Sequence, residues 1–359
     1  MTTIKDIARE AQVSPGTVDR VLHNRGGVSL ETSNRISKIL KKKNFKINQI
    51  ASSLAMKKHL KIATLIPLFD NENLFWKSPH SGIQKASQEV NANGVEVINF
   101  SFDQFNSKNY IETFKNLMKI NPDAIVMAPI FIKETSIIIK SLNEKKIPFI
   151  FLNINQKGYD NLCYIGQKSY EAGGLAGQLL DLCVFPQDEL LIVHTRKNID
   201  DYRSFSQRGN GFIDYFKKNQ IKKKIHQIQF DGLKNLKKVE KKINELLKSK
   251  KKIRGIIIPS SRASNIIELI HPNIKSEIKV VGFDTTPKNI SALKNGQITF
   301  LISQKSFNQG YKSIITMVNY LIHKVKPELE IPTPLEIVTK ENVEFIEYDK
   351  RRYDSEHYN

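Results

Sequence analysis

Few residues of this 359-residue chain are spaced for catalysis. It has no Gly-rich loop ending in Gly-Lys-Ser/Thr, and no Gly-x-Ser-x-Gly to raise a serine on a strand-to-helix turn. "GGLAG", Gly173 to Gly177, sits inside a helical pattern and lacks the preceding strand and turn of a dinucleotide loop. The eight histidines are scattered without metal-ligand spacing, and His194 reads as a satisfied core residue. Cys163 and Cys183 lack CxxC spacing and read as buried thiols rather than a disulfide or a zinc pair. No enzyme, metal or cofactor is expected.

A different chemistry is suggested by "VSPGTVDRVLHNRGGVS", Val13 to Ser29, which gathers hydroxyls, glycines and cations around a short apolar triplet. Residues 1–60 carry 12 Lys/Arg against 4 Asp/Glu, a large share of the net +20. Such a density suits a polyanion partner. The lysine-rich run from Lys217 to Lys252 reads instead as solvated helix faces. No apolar run reaches the roughly 18 residues of a membrane span, and the N-terminus has no charged-then-apolar leader, so a cytoplasmic protein is expected.

The elements that must position these residues follow from periodicity. Thr3 can cap a first helix whose face is Ile4, Ile7, Ala8 and Ala11. Ser14 caps a second helix, with Pro15 at the first helical position, where a missing N–H costs nothing. Val18, Val21 and Leu22 form its buried stripe, and Gly26 and Gly27 end it. Ser29 caps a third helix, carried by Ile36, Ile39 and Leu40. Two short helices joined across Gln12-Val13 are a helix-turn-helix. "NQIASSLAMKK", Asn48 to Lys58, can form one short helix capped by Asn48, too short to be stable alone.

From Lys61 the pattern changes to apolar runs of strand length alternating with helices. Ten strands are expected: "IATLI" from Ile62, "VEVINF" from Val95, "AIVMAP" from Ala124, "FIFLN" from Phe149, "CYIG" from Cys163, "LLIVHT" from Leu190, "IHQIQF" from Ile225, "GIIIPS" from Gly255, "VVGFD" from Val280 and "TFLIS" from Thr299. Strands that alternate with helices form parallel sheets covered on both faces, and this number calls for two α/β lobes.

These features resemble the LacI-type repressor family. "TIKDIAREAQVSPGTVDRVLHNRGGVS" resembles its helix-turn-helix, "NQIASSLA" its hinge helix, and the core is similar to type I periplasmic sugar-binding proteins. The resemblance implies an all-α DNA-binding domain over residues 1–46 and a hinge over 47–60. A two-lobed effector-binding and dimerisation domain of doubly wound parallel sheets follows over 61–345, then a polar tail over 346–359. The first lobe is expected over about 61–163 and 305–330, the second over about 164–304 and 331–345.

The resemblance also implies residue roles. The second helix would lie in a DNA major groove. Ser14 and Thr17 suit phosphate contacts and Arg20 suits a base edge or a phosphate, while Thr3, Asn24, Ser29 and Thr32 are further candidates for the DNA contact. Pro15 and Gly16 stand where better-known members often carry larger base readers, so readout rests on Arg20, on close approach at Gly16 and on DNA shape. Leu54 matches the leucine that wedges between base pairs in the minor groove, and Asn48 and Ala51 share its segment. In the core, Phe75-Trp76 follows the first strand as the family's aromatic pair does. Asn153, Arg208, Ser261, Asp284 and Gln304 fall where related proteins hold a ligand. Asn153, Ile154 and Ser261 depart from the residues common there, which points away from ribose. The expected protein is a ligand-responsive DNA-binding regulator, a repressor of sugar or polyol uptake and catabolism genes. Its partners would be a pseudo-palindromic operator, a second copy of the chain, and a sugar or polyol, with an acidic sugar derivative, a nucleoside-like ligand or no small ligand as the other readings of the cleft. The alternatives are a regulator gated by a protein partner and, more remotely, a solute-binding receptor.

Overall fold

The computed structural model describes residues 4–22, 26–43, 59–70, 74–196, 203–230, 232–233 and 235–346. Thr3, Asn24, the hinge residues Asn48, Ala51 and Leu54, and the tail beyond Ile346 lie outside the described residues.

Three helices open the chain: α1 (Ile4–Glu10), α2 (Pro15–Leu22) and α3 (Leu30–Lys42). Ser14 caps α2 by accepting from the Thr17 N–H at 3.2 Å, and Ser29 caps α3 by accepting from the Thr32 N–H at 3.2 Å. Each such cap stabilises its helix by about 1 kcal/mol. Ile7, Ala8, Ala11, Val18 and Ile36 form a small core, with Ile4, Val21, Leu22, Ile39 and Leu40 packed around it. Those are the faces that the helical spacing predicts. With so small a core, caps and turn geometry carry a large part of the stability.

The ten expected strands all form. In the first half of the core they are β1 (Leu60–Pro67), β2 (Val95–Phe102), β3 (Ala124–Met127), β4 (Phe149–Leu152) and β5 (Cys163–Gly166). In the second half they are β6 (Glu189–His194), β7 (Ile225–Gln229), β8 (Ile253–Ile257), β9 (Lys279–Phe283) and β10 (Phe300–Ser303). Two further strands, β11 (Glu330–Pro332) and β12 (Glu336–Val338), join the sheet edges. Three residues each, they carry no periodic signal and are strands only because an edge pairs with them.

The sheets run β11-β5-β4-β3-β1-β2 and β12-β10-β9-β8-β6-β7. Every pairing is parallel except β10 with β12. Alternate residues of the second sheet feed two apolar layers: Leu191 and Val193 on one face, Leu190 and Ile192 on the other. A strand buried on both sides must read as a continuous apolar run, as these do.

The chain crosses between the lobes three times. After β5 it enters the helix Ser169–Asp181, and after β10 it returns through the helix Ser306–His323 to the first lobe. Between β11 and β12 it crosses again. The helices of the core are α4 (Lys77–Asn91), α5 (Ser107–Met118), α6 (Ile132–Glu144), α7 (Ser169–Asp181) and α8 (Arg203–Lys218). They continue as α9 (Leu236–Ser249), α10 (Ala263–Glu268), α11 (Pro272–Lys275), α12 (Pro287–Lys294) and α13 (Ser306–His323).

"GGLAG" belongs to α7 and serves packing. A Cβ at Gly173 would lie 2.0 Å from the Arg208 carbonyl oxygen, and one at Gly211 would lie 1.9 Å from the Tyr170 carbonyl oxygen. Glycine on both sides lets α7 and α8 meet backbone to backbone, which fixes where Arg208 sits. Both cysteines are free: Cys163 is buried, its thiol pushed up to about 12 by burial, whereas Cys183 is only half-buried.

Candidate functional site

A cavity of about 550 Å³, open mouth included, lies between the two sheets. Its walls come from the carboxyl ends of strands in both lobes, where loops converge above parallel sheets.

Phe75 and Trp76 form a short 3-10 turn beyond β1, their rings 5.2 Å apart and nearly perpendicular. Trp76 is only 3% exposed and is anchored in the first lobe's core, while Phe75 is half-buried. The same wall is continued by Ile130 beyond β3 and by Asn153 and Ile154 beyond β4.

Asn153 and Asp284 both adopt positive φ, 67° and 70°. This left-handed turn at the end of β4 and of β9 is uncommon for a residue with a side chain. The Asn153 N–H donates to the Ile165 carbonyl at 2.8 Å, and the Asp284 N–H donates to the Ile302 carbonyl at 3.0 Å. The Asn153 amide donates to Gln304 Oε1 and to Gln309 Oε1, each at 2.9 Å. Gln304 Nε2 donates in turn to Asp284 Oδ1 at 2.7 Å.

Arg208, on α8, is 2% exposed. Its Nη2 donates to Gln167 Oε1 at 2.7 Å and its Nη1 to the Pro259 carbonyl at 2.9 Å, and its plane lies 4.2 Å from the Phe283 ring centre. Burial lowers the guanidinium's pKa, and the charge of Asp284 opposes that shift. Ser261 lies beyond β8 and also lines the cavity. All seven ligand-site residues singled out in the sequence therefore border one cavity.

Other lining residues escaped sequence reasoning: Gln104, Thr195, Arg196, Ser204, Phe205, Ser260 and Arg262. Arg196 donates to Gln104 Oε1 at 2.7 Å, joining the two lobes, and its guanidinium lies 4.4 Å from the centre of the Phe105 ring. Arg262 approaches the same ring at 5.7 Å. Asn289, fully buried on α12, positions the site from behind. Its amide donates to the carbonyls of Ser261, Phe283 and Asp284 at 2.9–3.0 Å, and its Oδ1 accepts from the Ser264 N–H. Inspecting the first few residues after each strand would have found Arg196, two beyond β6, and Arg262, five beyond β8. Nothing in the sequence marks Asn289, whose role is to hold carbonyls.

The second candidate surface is the start of α2. Ser14, Pro15, Gly16 and Arg20 are exposed, and Thr17 is partly so. The hydroxyls of Ser14 and Thr17 are 2.9 Å apart, as are those of Ser29 and Thr32. Arg20 reaches across the turn at Gly27, whose φ is +90°; a Cβ there would come within 3.1 Å of Arg20 Nη1.

Comparison with known proteins finds a match for each of the two parts of the chain. Residues 3–48 match bacterial regulatory proteins of the lacI family, and residues 62–324 match the periplasmic binding protein domain family. Catabolite control protein A of Staphylococcus aureus strain Mu50 is 29% identical over 155 residues, 43% of this chain and 45% of that protein. The chain thus matches less than half the length of that curated relative. A crystal structure from Bacteroides fragilis, described as a LacI transcriptional regulator, aligns with TM-score 0.75 at 23% identity, over 80% of this chain and 99% of that one. A carbohydrate transporter from Acidothermus cellulolyticus 11B, in complex with myo-inositol, aligns with TM-score 0.69 at 21% identity, over 82% of this chain and 99% of that one. The chain thus joins a lacI-family domain over residues 3–48 to a two-lobed core that belongs to the periplasmic binding protein domain family.

Proposed function

We propose that this regulator is a repressor that binds a pseudo-palindromic operator as a homodimer and is controlled by a sugar or polyol in the interlobe cavity. It would act in the cytoplasm and perform no catalysis. The observation that carries the reading is the convergence of Phe75, Trp76, Asn153, Arg208, Ser261, Asp284 and Gln304 on one cavity bordered by both lobes. An aromatic ring offers a flat apolar face for sugar C–H groups, while Asp284 accepts from hydroxyls, and Asn153 and Gln304 can both donate and accept. A ligand touching both walls favours the closed arrangement by its differential affinity.

Operator contact is assigned to α2. Arg20 is the candidate base reader, with Ser14, Thr17, Ser29 and Thr32 at phosphates and with close approach at Pro15 and Gly16. Thr3, Asn24, Asn48 and Ala51 extend the contact, and Leu54 is the minor-groove wedge. Coupling between cavity and operator of about 1–3 kcal/mol changes operator affinity roughly 5- to 150-fold, and operator changes ligand affinity by the same factor.

The test is a titration with sugars and polyols that follows Trp76 fluorescence and operator binding together. A ligand that changes both is expected, and Asp284→Ala should remove both changes while operator still binds. An Asp284→Ala protein that responds like the wild type would show the cavity to be misassigned.

A further inference from the structure

An asparagine side chain has two faces toward a ligand, because one end of its amide donates and the other accepts. At Asn153 one face is chosen by a residue that is not part of the cavity lining. Gln309 lies on α13 and is fully buried. Its Nε2 donates to the Gln304 backbone carbonyl at 2.8 Å and to Thr333 Oγ1 at 3.2 Å. A carbonyl only accepts, so the Gln309 amide has one orientation, with Oε1 turned to Asn153.

The other end of the network is anchored as well. Asp284 Oδ1 accepts from Gln304 Nε2 at 2.7 Å, which leaves Gln304 Oε1 as an acceptor. Asn153 Nδ2 meets both glutamine oxygens, Gln304 Oε1 and Gln309 Oε1, each at 2.9 Å. Turning the Asn153 amide over would break both bonds and set oxygen against oxygen in buried surroundings. Its N–H groups are therefore spent inside the protein. Asn153 Oδ1 takes no hydrogen bond from the described residues, is not sealed from solvent, and belongs to a residue that lines the cavity. Packing holds both partners in place. A Cβ at Gly310, beside Gln309, would lie 2.1 Å from the Pro79 carbonyl oxygen of α4, and the Tyr164 hydroxyl donates to the Asn153 carbonyl at 3.1 Å.

We infer that Gln309 determines specificity without touching the ligand. By holding the Asn153 amide it commits Asn153 to the cavity as a neutral hydrogen-bond acceptor, so the ligand group placed there must be a donor. This rests on the reading of the cavity as an effector site and adds the polarity that one wall demands. A hydroxyl meets that demand. An ether oxygen or a fluorine in the same place would face Asn153 Oδ1 acceptor to acceptor.

The test has two parts, both on the full chain. Without ligand, protein carrying isotope-labelled asparagine is followed by NMR, with Asn153→Ala to assign the side-chain signal. Both Asn153 side-chain protons are expected to exchange slowly with solvent, and at least one should exchange about tenfold faster in Gln309→Met. Equal exchange in the two proteins would overturn the assigned polarity. With ligand, glucose, galactose, ribose and myo-inositol are compared with their monofluoro-deoxy counterparts by Trp76 fluorescence. One fluorinated position of a binding probe is expected to lose about 100-fold or more in affinity, because fluorine cannot donate to Asn153 Oδ1. Gln309→Met frees the Asn153 amide to turn, so that loss should shrink about tenfold while losses at other positions stay. Losses that shrink alike at every position, or no such position in the wild type, would overturn the specificity role and leave the effector reading standing. Silence of every probe would overturn the effector reading and the specificity role with it, whatever the exchange measurement says of the Asn153 amide.

Discussion

Asn153 and Asp284 occupy the same place in the two lobes and are joined by one side chain. Each ends a strand at positive φ, each donates its N–H to the neighbouring strand, and Gln304 accepts from one and donates to the other. Gln304 follows β10, where the chain is about to return to the first lobe. The contact between the two walls is therefore made where the backbone itself passes between them.

That arrangement sets a cost for breaking it. Gln304→Leu would take a donor from Asp284 and an acceptor from Asn153 and Gln309, all in buried surroundings. Asn153 and Gln309 keep other partners, so the cost is that of the hydrogen bonds lost, about 0.5–1.5 kcal/mol each, and a loss of about 2–4 kcal/mol is expected. Urea denaturation measures it. A change under about 0.5 kcal/mol would mean that the network adds nothing to stability.

Arg20→Ala is expected to reduce discrimination between operator and random DNA by about 1–3 kcal/mol for each base pair Arg20 reads. Competition binding with both DNAs measures this. An equal loss on the two DNAs would identify Arg20 as a phosphate contact.

Gly173→Val should separate α7 from α8. The added Cβ would meet the Arg208 backbone, not a movable side chain. A loss of about 3 kcal/mol or more follows from overpacking against backbone, and ligand response should fall with it because Arg208 moves. Calorimetric melting and a ligand titration on the same variant check both parts. Unchanged melting would show that the helices can part freely.

Burial holds His80 and His194 below the usual histidine pKa of 6.5. The unfolded chain then binds more protons than the folded one as pH falls through that value. Stability contributed by these neutral rings is complete above about pH 6.5 and declines below it. Melting temperature should fall between about pH 7.5 and pH 5.5. His194→Gln should flatten that fall. A variant that follows the wild-type profile would remove His194 as a source.

Eight of the ten main strands were legible because an inner strand covered on both faces has few polar residues to interrupt it, whereas β2 and β7, at sheet edges, mix apolar with polar residues. "AIVM" and "FIFL" are wholly buried. The helix-turn-helix was legible because caps and stripe coincide at Ser14, Ser29 and Val18. β11 and β12 were not, since an edge strand of three residues is created by its neighbour. Arg196, Arg262 and Gln104 were missed for a related reason: they lie on connections, which have no period. Asn289 was hidden because an asparagine holding three carbonyls looks the same in sequence as one facing water.

The three crossings have a consequence for synthesis. Ile314, Met317 and Val318 of α13 complete the first lobe's core, yet they leave the ribosome after every strand of the second lobe except the short β12. A nascent chain that ends before α13 carries an open apolar seam on its first lobe, against which α13 later docks. The earlier-made half must wait for the later-made one, so the two lobes mature as interleaved units. Any exchange of one lobe between relatives must cut and rejoin the chain at all three crossings.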